Sequence, residues 1–406
     1  MRERIKFLRV ICHSCLTLLL LTNISTKAYA TEGISRLMSD MRISETNENK
    51  RPRWDAVDEK LKNMLSNDYR SPSFDEKQFF AKYIELVPAE VIIDFLEAEE
   101  VTCHRQAHEL GRAIFRKTND ISEALSICGN SCTNACMHGA IGEAFSDDTV
   151  QHQADSHDHD EMQDKSQLQH HPATNITKLV KKMEPFCHED EMARRHKRGN
   201  CAHAMGHALM LKTDHDIGAS ITGCSQFNEP GMDYYCATGV YMQYMDNVTA
   251  NGSRKGDTKR WGSNYPCNKF TAYPAACYRY IVSEVKEERG LGLEHLVVLC
   301  AQLPDETRGG CFHGLGATYT PLMKEYPDLL KVVCSYGGDK EQALCIEGAI
   351  EKLADFNEQW ALTACETLGN KNKNTCLAAA HGKMYRLDKP TMDLYRTGIQ
   401  IKHDRQ

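Results

Sequence analysis

Cysteine residues recur in this sequence in pairs whose spacing is nearly constant. Sixteen of the eighteen cysteines lie beyond residue 100. Six pairs among them are separated by ten to fourteen residues: Cys187 and Cys201, Cys224 and Cys236, Cys267 and Cys277, Cys300 and Cys311, Cys334 and Cys345, Cys365 and Cys376. Successive pairs begin every 31 to 43 residues. A period of that length indicates an array of supersecondary units, in which each unit contacts its neighbours.

One unit shows how each pair is placed. The segment Glu294–Cys300 reads as a short helix that ends at its cysteine, and residues 304–310 read as a turn rich in Pro, Asp and Gly. A second helix begins at Cys311, so a disulfide would join the end of one helix to the start of the next. Closing such a loop stabilises a unit by about 2–3 kcal/mol. The sequence therefore predicts an all-α fold of disulfide-stapled helical-hairpin repeats, which form an α-solenoid or an α/α toroid.

The first thirty residues have the features of a signal peptide. Basic residues precede the apolar run Val10–Leu21, and Ala28–Ala30 forms an A-x-A cleavage site. The sixteen later cysteines are an even number, which an oxidising compartment favours, and the C-x2-C spacing of thiolate metal sites is absent after residue 30. The sequence therefore predicts an exported protein, periplasmic or secreted, with its cysteines in disulfides.

The charge and the apolar pattern argue against two classes of partner. The chain has 49 basic and 56 acidic residues and a net charge of -7, and nothing in this balance suggests the concentrated basic patch that a nucleic-acid binder needs. Nucleic-acid binding is therefore not expected. No stretch after the leader reaches eighteen consecutive apolar residues, so the sequence predicts no membrane span.

Composition divides the chain into six segments. We predict a signal peptide at 1–30, a largely disordered segment at 31–70, N-terminal helical repeats at 71–146, a flexible insertion at 147–175, cysteine-stapled repeats at 176–390 and a C-terminal tail at 391–406. The insertion is rich in His, Asp and Gln. Such a composition fits a tolerated surface loop and a segment that captures metal ions weakly equally well.

Four cysteines in the N-terminal repeats do not follow the common spacing. A bond between Cys128 and Cys136 would reproduce the repeat and would leave Cys103 to pair with Cys132. Four cysteines allow three connectivities, however, and the sequence does not choose among them.

Histidines recur at one position of the second helices. Two residues after the cysteine lie His138, His203 and His313, and Glu347 takes this place in a later helix. At 100° per residue, the position lies about 200° round the helix from the cysteine. The cysteine must face the first helix of its hairpin in order to form the disulfide. These side chains are therefore predicted to point away from that helix, toward the concave surface of the array.

Two helices carry histidines one turn apart: His104 with His108, and His203 with His207. Residues at i and i+4 lie on the same face, so each pair can share a metal ion. Two such pairs on separate helices, each with a further histidine nearby, resemble the ligands of coupled dicopper proteins in ligand type and helical spacing. We predict that the concave face binds a transition metal through six histidines: His104, His108, His138, His203, His207 and His313.

The predicted ligand set limits the identity of the metal. Imidazole suits copper, zinc and iron, whereas cysteines held in disulfides do not serve as ligands. Met205, Met242 and Met245 lie on the same helices, and thioethers near histidines favour copper in an oxidising compartment. The predicted cofactor is therefore a transition metal ion, with copper and zinc ahead of iron.

Charged residues near the histidines are candidates for chemistry at an open metal position. Glu109 or Glu143 could act as a general base and Arg105 could orient an anion, but surface charge or helix capping is the simpler explanation for all three. Five other histidines are interpreted as structural, hydrogen-bonded residues: His188, His196, His215, His295 and His381.

Two functions remain open at this point. The first is an exported helical-repeat protein that uses its histidine metal site as a metal-dependent (oxido)reductase or hydrolase, or that only carries the metal. The alternative is a solenoid scaffold of the cell envelope that binds a peptide or protein in its concave groove without catalysis. Replacing His203 and His207 by Ala separates the two, because only the first function requires bound metal. Zincin, haem-attachment, Walker and dinucleotide-binding motifs are absent from the sequence.

Overall fold

The regular structure of the described residues is helical. The computed structural model describes Trp54 and residues 57–99, 103–128, 131–146, 173–189, 197–250 and 265–387, and no β-strand occurs within these ranges. The predicted signal peptide, the insertion up to residue 172 and the tail 391–406 lie outside them. Among the helices described, none combines the length and the apolar character that a transmembrane helix requires.

Seventeen α-helices and one 3-10 turn make up the described structure. In chain order the helices are α1 Glu59–Tyr69, α2 Glu76–Tyr83, α3 Ala89–Glu99, α4 His104–Thr118, α5 Ile121–Cys128, α6 Ala135–Ser146, α7 Ala173–His188, α8 Arg198–Lys212, α9 Ile217–Cys224, α10 Met232–Ala250, α11 Pro274–Arg289, α12 Leu293–Ala301, α13 Asp305–Met323, α14 Leu329–Val333, α15 Asp339–Phe356, α16 Glu358–Glu366 and α17 Asn370–Gly382. The 3-10 turn Ser131–Asn134 precedes α6. Eight helices, α4, α6, α8, α10, α11, α13, α15 and α17, are called the inner helices below.

Helix α1 shows that a capping residue can order a polar segment. Asp58 accepts a hydrogen bond from the backbone N–H of Lys60 at 2.9 Å, and the helix buries Leu65. An N-cap of this kind contributes about 1 kcal/mol. The prediction that 31–70 is largely disordered therefore does not hold for Glu59–Tyr69, where one cap and one buried leucine outweigh the polar composition.

The inner helices pack against one another in chain order. Each contacts the next, from α4 to α17, and several of the shorter helices lie against them. In α8 every residue from Gly199 to Met210 is buried, so this helix is enclosed around its whole circumference. Helix α15 also contacts the turn Ser131–Asn134. A late part of the array therefore touches an early one.

Eight disulfides join all sixteen cysteines of the described residues. Six of them are the predicted pairs: Cys187–Cys201, Cys224–Cys236, Cys267–Cys277, Cys300–Cys311, Cys334–Cys345 and Cys365–Cys376. Of the three connectivities left open for the other four cysteines, the structure has Cys103–Cys132 and Cys128–Cys136. The all-α, disulfide-linked character of the predicted fold is confirmed.

The boundaries within a unit differ from the predicted ones. Helix α13 begins at Asp305, whereas the sequence predicted a turn over 304–310 and a helix from Cys311. The glycines that suggested a turn have a packing role instead, because a Cβ atom at Gly310 would overlap the backbone of Ala275 in α11. Cys267 lies in a turn rather than at the end of a helix.

Glycines bring two pairs of inner helices into backbone contact. A Cβ atom at Gly239 of α10 would overlap the carbonyl oxygen of His203 in α8, and one at Gly206 of α8 would overlap the carbonyl oxygen of Cys236. A Cβ atom at Gly139 of α6 would likewise overlap the carbonyl oxygen of His108 in α4. These close contacts fix the spacing of the helices that carry the histidines.

Candidate metal centre

Five of the six predicted histidines converge where three inner helices meet. His104 and His108 come from α4, His138 from α6, and His203 and His207 from α8. All except His104, which is half-buried, are at most 3% exposed. The ring centroids of His108 and His207 are 4.6 Å apart, and those of His138 and His203 are 4.8 Å apart. Packing of the helices thus joins side chains that are far apart in the sequence.

Each pair of histidines one turn apart brings its Nε2 atoms together. The Nε2 atoms of His104 and His108 are 3.2 Å apart, and those of His203 and His207 are 3.1 Å apart. Each pair forms a group with His138 in which one ligand atom per residue lies within 4.8 Å of the others. Both groups of three could hold a metal ion, and His138 belongs to both.

The Nδ1 atoms of three histidines are held by hydrogen-bond acceptors. His104 Nδ1 donates to the carbonyl oxygen of Cys132 at 3.0 Å, and His207 Nδ1 donates to Gln243 Oε1 at 2.9 Å. His203 Nδ1 lies 2.7 Å from the hydroxyl of Thr238. That hydroxyl donates to a backbone carbonyl at 2.5 Å and therefore accepts from the histidine. In the neutral form of these three rings, Nδ1 carries the proton and Nε2 the lone pair.

This arrangement matches the geometry and the tautomers of metal-bound histidine. Metal-ligating histidines usually donate their other ring N–H to a protein acceptor, which orients the ring. With metal–nitrogen bonds of about 2.0–2.1 Å, two nitrogens on a tetrahedral ion are about 3.3–3.4 Å apart. The Nε2 separations of 3.1 and 3.2 Å are close to that value. In the pair His203 and His207 two lone pairs therefore face each other, and at this distance they repel unless a proton or a cation lies between them.

His138 lies between the two pairs. Its ring centroid is 5.6 Å from those of His104, His108 and His207. Its Nε2 donates to Asn200 Oδ1 at 2.6 Å, so in the neutral ring Nδ1 carries the lone pair. This histidine therefore offers the opposite ring nitrogen from the other ligands.

A thioether completes one side of the cluster. The Sδ atom of Met242, on α10, lies 3.2 Å from His104 Nε2. Sulfur of this kind is a soft, uncharged ligand that favours Cu(I) over harder ions. Of the methionines that the sequence placed near the histidines, Met242 does lie next to one of them.

Burial keeps these histidines neutral. Loss of hydration lowers the pKa of His104 to about 3 and the pKa of His207 to about 4. It also holds the pKa values of His108 and His203 well below the usual 6.5, with further lowering by neighbouring histidines. These four histidines are therefore deprotonated, and ready for a metal ion, at neutral and mildly acidic pH.

Acid is expected to destabilise the metal-free protein. Between pH 6.5 and about 4, the unfolded chain protonates its histidines while the folded protein does not, so the free energy of unfolding falls as the pH falls. From pH 7 to 5.5, four such histidines lower it by about 5 kcal/mol in total. Urea unfolding of chelator-treated protein at several pH values measures this slope. His203→Gln/His207→Gln should show about half of it, and stability that does not change over this range would contradict the assignment.

His313 makes different contacts from the five clustered histidines. It is on α13, fully buried, and its Nε2 donates to Glu351 Oε2 of α15 at 3.2 Å. It belongs to neither histidine group with metal-ligand spacing among the described residues. Its predicted role as a ligand remains a prediction, and the structure gives it a carboxylate partner instead.

The other charged candidates form ion pairs. Glu109 pairs with Arg112 and Arg116, Glu143 with Arg116, Arg105 with Glu76, and His381 with Glu358. These contacts give each residue a structural partner. The simpler interpretation, surface or structural charge, therefore describes them better than a role at the metal.

A third group with metal-ligand spacing does not qualify as a site. Glu97, Cys103 and Cys132 place suitable atoms close together, but the two cysteines form a disulfide. A disulfide sulfur is not a thiolate ligand. Glu97 accepts a hydrogen bond from the backbone N–H of Cys132 at 3.1 Å and so fixes the turn beside His104.

Several residues near the cluster were not found from the sequence. The position two residues after the cysteine is Thr238 in α10 and Arg279 in α11. Extending the same register to every inner helix would have found these. Asn200 and Tyr385 carry no such signal, because one precedes its cysteine and the other lies beyond the last helix.

Fold and site together define a disulfide-rich, all-α protein with a buried histidine cluster that could hold a metal ion. No protein-family model, curated protein or solved structure has significant similarity to the chain. The geometry of the cluster is therefore the basis for assigning a function.

Proposed function

We propose that the protein is exported and binds two transition metal ions through His104, His108, His138, His203 and His207. The observation that carries this proposal is the approach of Nε2 atoms to 3.2 and 3.1 Å in two pairs, in which the Nδ1 protons of His104, His203 and His207 are engaged elsewhere. Folding the chain around the bare, mutually repelling Nε2 atoms of His203 and His207 would be unfavourable. A cation in each pair turns that repulsion into coordination.

Each Nε2 pair defines one metal position. His104 and His108 form the first, with the sulfur of Met242 beside it, and His203 and His207 form the second. His138 lies between them and can ligate either ion. Neighbouring ions held by histidines suit a reaction that moves electrons or activates a small molecule between them.

The ligand set favours copper and redox chemistry. It consists of neutral imidazoles and a thioether, so the ligands do not compensate the charge of the bound ion. A buried monovalent ion has a lower desolvation cost than a divalent one, and soft sulfur favours Cu(I). We therefore infer a copper-dependent oxidoreductase that cycles between Cu(I) and Cu(II). Zinc, with hydrolytic chemistry, is the alternative that metal analysis distinguishes.

A closed ring, the α/α toroid, suits this site better than an open solenoid. Lys197, which precedes α8, donates to the carbonyl oxygens of Gly382 and Met384 at the end of the array. Lys352 of α15 acts electrostatically on His104 of α4. These contacts support a ring with its histidines inside. The eight disulfides support export to an oxidising compartment.

Scaffold function receives less support from the same residues. A groove that binds a peptide presents its lining to solvent, whereas His138 and His203 have no exposed surface. The scaffold alternative predicts a protein that folds and functions without metal, and the metal analysis below tests it directly.

Metal content tests the proposal. Full-length protein, expressed in an oxidising compartment, purified without chelator and reconstituted separately with Cu(I), Zn(II) and Fe(II), is expected to hold two equivalents of one metal. His203→Ala/His207→Ala and His104→Ala/His108→Ala should each hold no more than one, because each removes both nitrogens of one position. Plasma emission spectrometry gives the stoichiometry, and circular dichroism confirms that the helices persist.

A matched control is available in the same fold. His313→Ala removes a buried histidine whose partner is a carboxylate, and it should keep both ions. Wild-type protein with less than about a tenth of an equivalent of every metal tested would refute the proposal and favour the scaffold. Wild-type stoichiometry in both double variants would refute the assigned ligands.

A further inference from the structure

The chain returns to the histidine cluster after its last inner helix. Tyr385 follows α17, and its ring centroid lies 5.0 Å from that of His203 and 6.1 Å from that of His138. Its backbone is in the left-handed region, with φ of 64°, and Lys383 has φ of 57°. This backbone conformation is unfavourable for a bulky residue. Residues held in such conformations cluster at active sites and ligand-binding sites, where surrounding contacts maintain them.

Polar contacts on both sides hold this segment in place. Lys197 donates to the carbonyl oxygens of Gly382 at 2.5 Å and Met384 at 2.8 Å, and Tyr235 donates to that of Arg386 at 2.9 Å. A side chain at Gly199 would overlap the carbonyl oxygen of Tyr385. The unfavourable backbone is thus maintained by contacts from α8 and α10, and its effect is to place the Tyr385 ring against His203.

The hydroxyl of Tyr385 has no hydrogen-bond partner among the described residues. The side chain is 3% exposed, and its oxygen is fully buried. A buried hydroxyl without a partner costs about 1–3 kcal/mol. A tyrosine side chain carries its hydroxyl proton at neutral pH, so the group is an O–H donor. A buried O–H donor next to His203 is suited to donate a hydrogen bond to an oxygen atom of a bound small molecule.

Arg279 supplies a second donor close by. It occupies the position two residues after the cysteine in α11, is 7% exposed, and its Nη2 lies 3.6 Å from the sulfur of Met384, the residue before Tyr385. Its carbon Cζ lies 5.8 Å from the ring of Tyr280, which is itself 6.4 Å from that of His203. The guanidinium therefore lies on the same side of the cluster as Tyr385.

Arg279 has few strong acceptors for a buried guanidinium. The phenol of Tyr234 interacts with it, but no carboxylate of the described residues lies within ion-pair distance of it. Glu351 acts on it electrostatically, yet that carboxylate accepts the hydrogen bond of His313. A guanidinium has five N–H donors, and a buried one normally faces a carboxylate or phosphate oxygen directly. A thioether at 3.6 Å does not replace such a partner.

We propose that Arg279 and Tyr385 form a subsite that binds the anionic oxygen group of a small ligand beside the histidine cluster. The bidentate edge of the guanidinium would hold a carboxylate or phosphate-type group, and the phenol would donate a third hydrogen bond. The positive charge of the proposed metal ions adds to the attraction. That this ligand is the substrate rests on the proposed function, whereas anion binding by these two residues does not.

Anion titrations test the subsite separately from the metal. Full-length protein is titrated with acetate and with inorganic phosphate by isothermal titration calorimetry, once after chelator treatment and once after metal loading. The anion that binds more tightly identifies the anion class. Tyr385→Phe and Arg279→Gln should each weaken binding about tenfold or more in both forms of the protein, because each removes a buried hydrogen bond to a charged group. Arg279→Lys provides a second variant if Arg279→Gln fails to fold.

Arg105→Gln is the matched control, since Arg105 lies on an inner helix but pairs with Glu76. It should bind the anion like the wild type. Tyr385→Phe should also keep the wild-type metal content. Absence of anion binding in the wild type, or equal affinity in the Arg279 and Tyr385 variants, would overturn the subsite. If the anion binding depends on both residues but the wild-type protein takes up no metal on reconstitution, the subsite is upheld and the proposed function is refuted.

Discussion

Reduction of the eight disulfides is expected to unfold the protein at 25 °C. Seven of the bridges close loops of 8 to 14 residues, and each stabilises the fold by about 2–3 kcal/mol. Together the eight contribute about 20 kcal/mol, which exceeds the stability of about 5–15 kcal/mol that is usual for folded proteins. The bridge Cys334–Cys345 follows a helix of only five residues, Leu329–Val333, which buries little surface alone.

The measurement is circular dichroism at 222 nm during titration with a thiol reductant, with free thiols counted in parallel. Oxidised protein should show none of its sixteen described cysteines as a thiol, and the helical signal should fall as thiols appear. Treatment with an alkylating agent without reductant is the control and should change nothing. A full helical signal after all sixteen cysteines are reduced would contradict this account.

Gly239→Ala is expected to destabilise the protein by about 3 kcal/mol and to reduce metal binding. The new methyl group would overlap the carbonyl oxygen of His203, a backbone atom that cannot rotate away. Helices α8 and α10 would have to separate, and the hydrogen bond of 2.7 Å between His203 and Thr238 spans that contact. Loss of this bond frees the His203 ring, so the metal position formed with His207 should weaken about 10- to 100-fold.

Gly142→Ala is the control for Gly239→Ala. A Cβ atom at Gly142 in α6 would lie 3.5 Å from Leu211 Cδ1, an ordinary contact distance. Because alanine is the better helix former by about 1 kcal/mol, this variant should be as stable as the wild type or more stable. Urea denaturation and metal titration of both variants measure the difference. Equal stability of the two would mean that the helices are not held in backbone contact.

The repeat and its disulfides were predictable because they depend on local sequence. A cysteine pair eleven residues apart, such as Cys300 and Cys311, can only bridge adjacent helices, and the structure confirms it. The turn assigned to 304–310 was wrong because glycine has two uses. Gly310 allows α13 to approach α11 closely, and nothing in the neighbouring residues distinguishes that use from a turn.

For the histidines, too, local sequence predicted one part of the arrangement and tertiary packing decided the other. The pairs His104 with His108 and His203 with His207 follow from the helical period alone, and their Nε2 atoms do lie together. His138 and His313 occupy the same register on their helices, yet one meets the pairs and the other meets Glu351. Register predicts the direction of a side chain within its helix, but the partner depends on which helices are neighbours.

By itself, the sequence determined the helices, the disulfide of each regular unit and the pairing of His104 with His108 and of His203 with His207, because each of these is set within a few turns of chain. Only the tertiary structure decided that α4, α6 and α8 bring five imidazoles together, and that Tyr385 and Arg279 lie beside them. The physical reason is that backbone approach at glycines and contacts between the ends of the array set these distances. Both are properties of the packed helices and leave no period in the sequence.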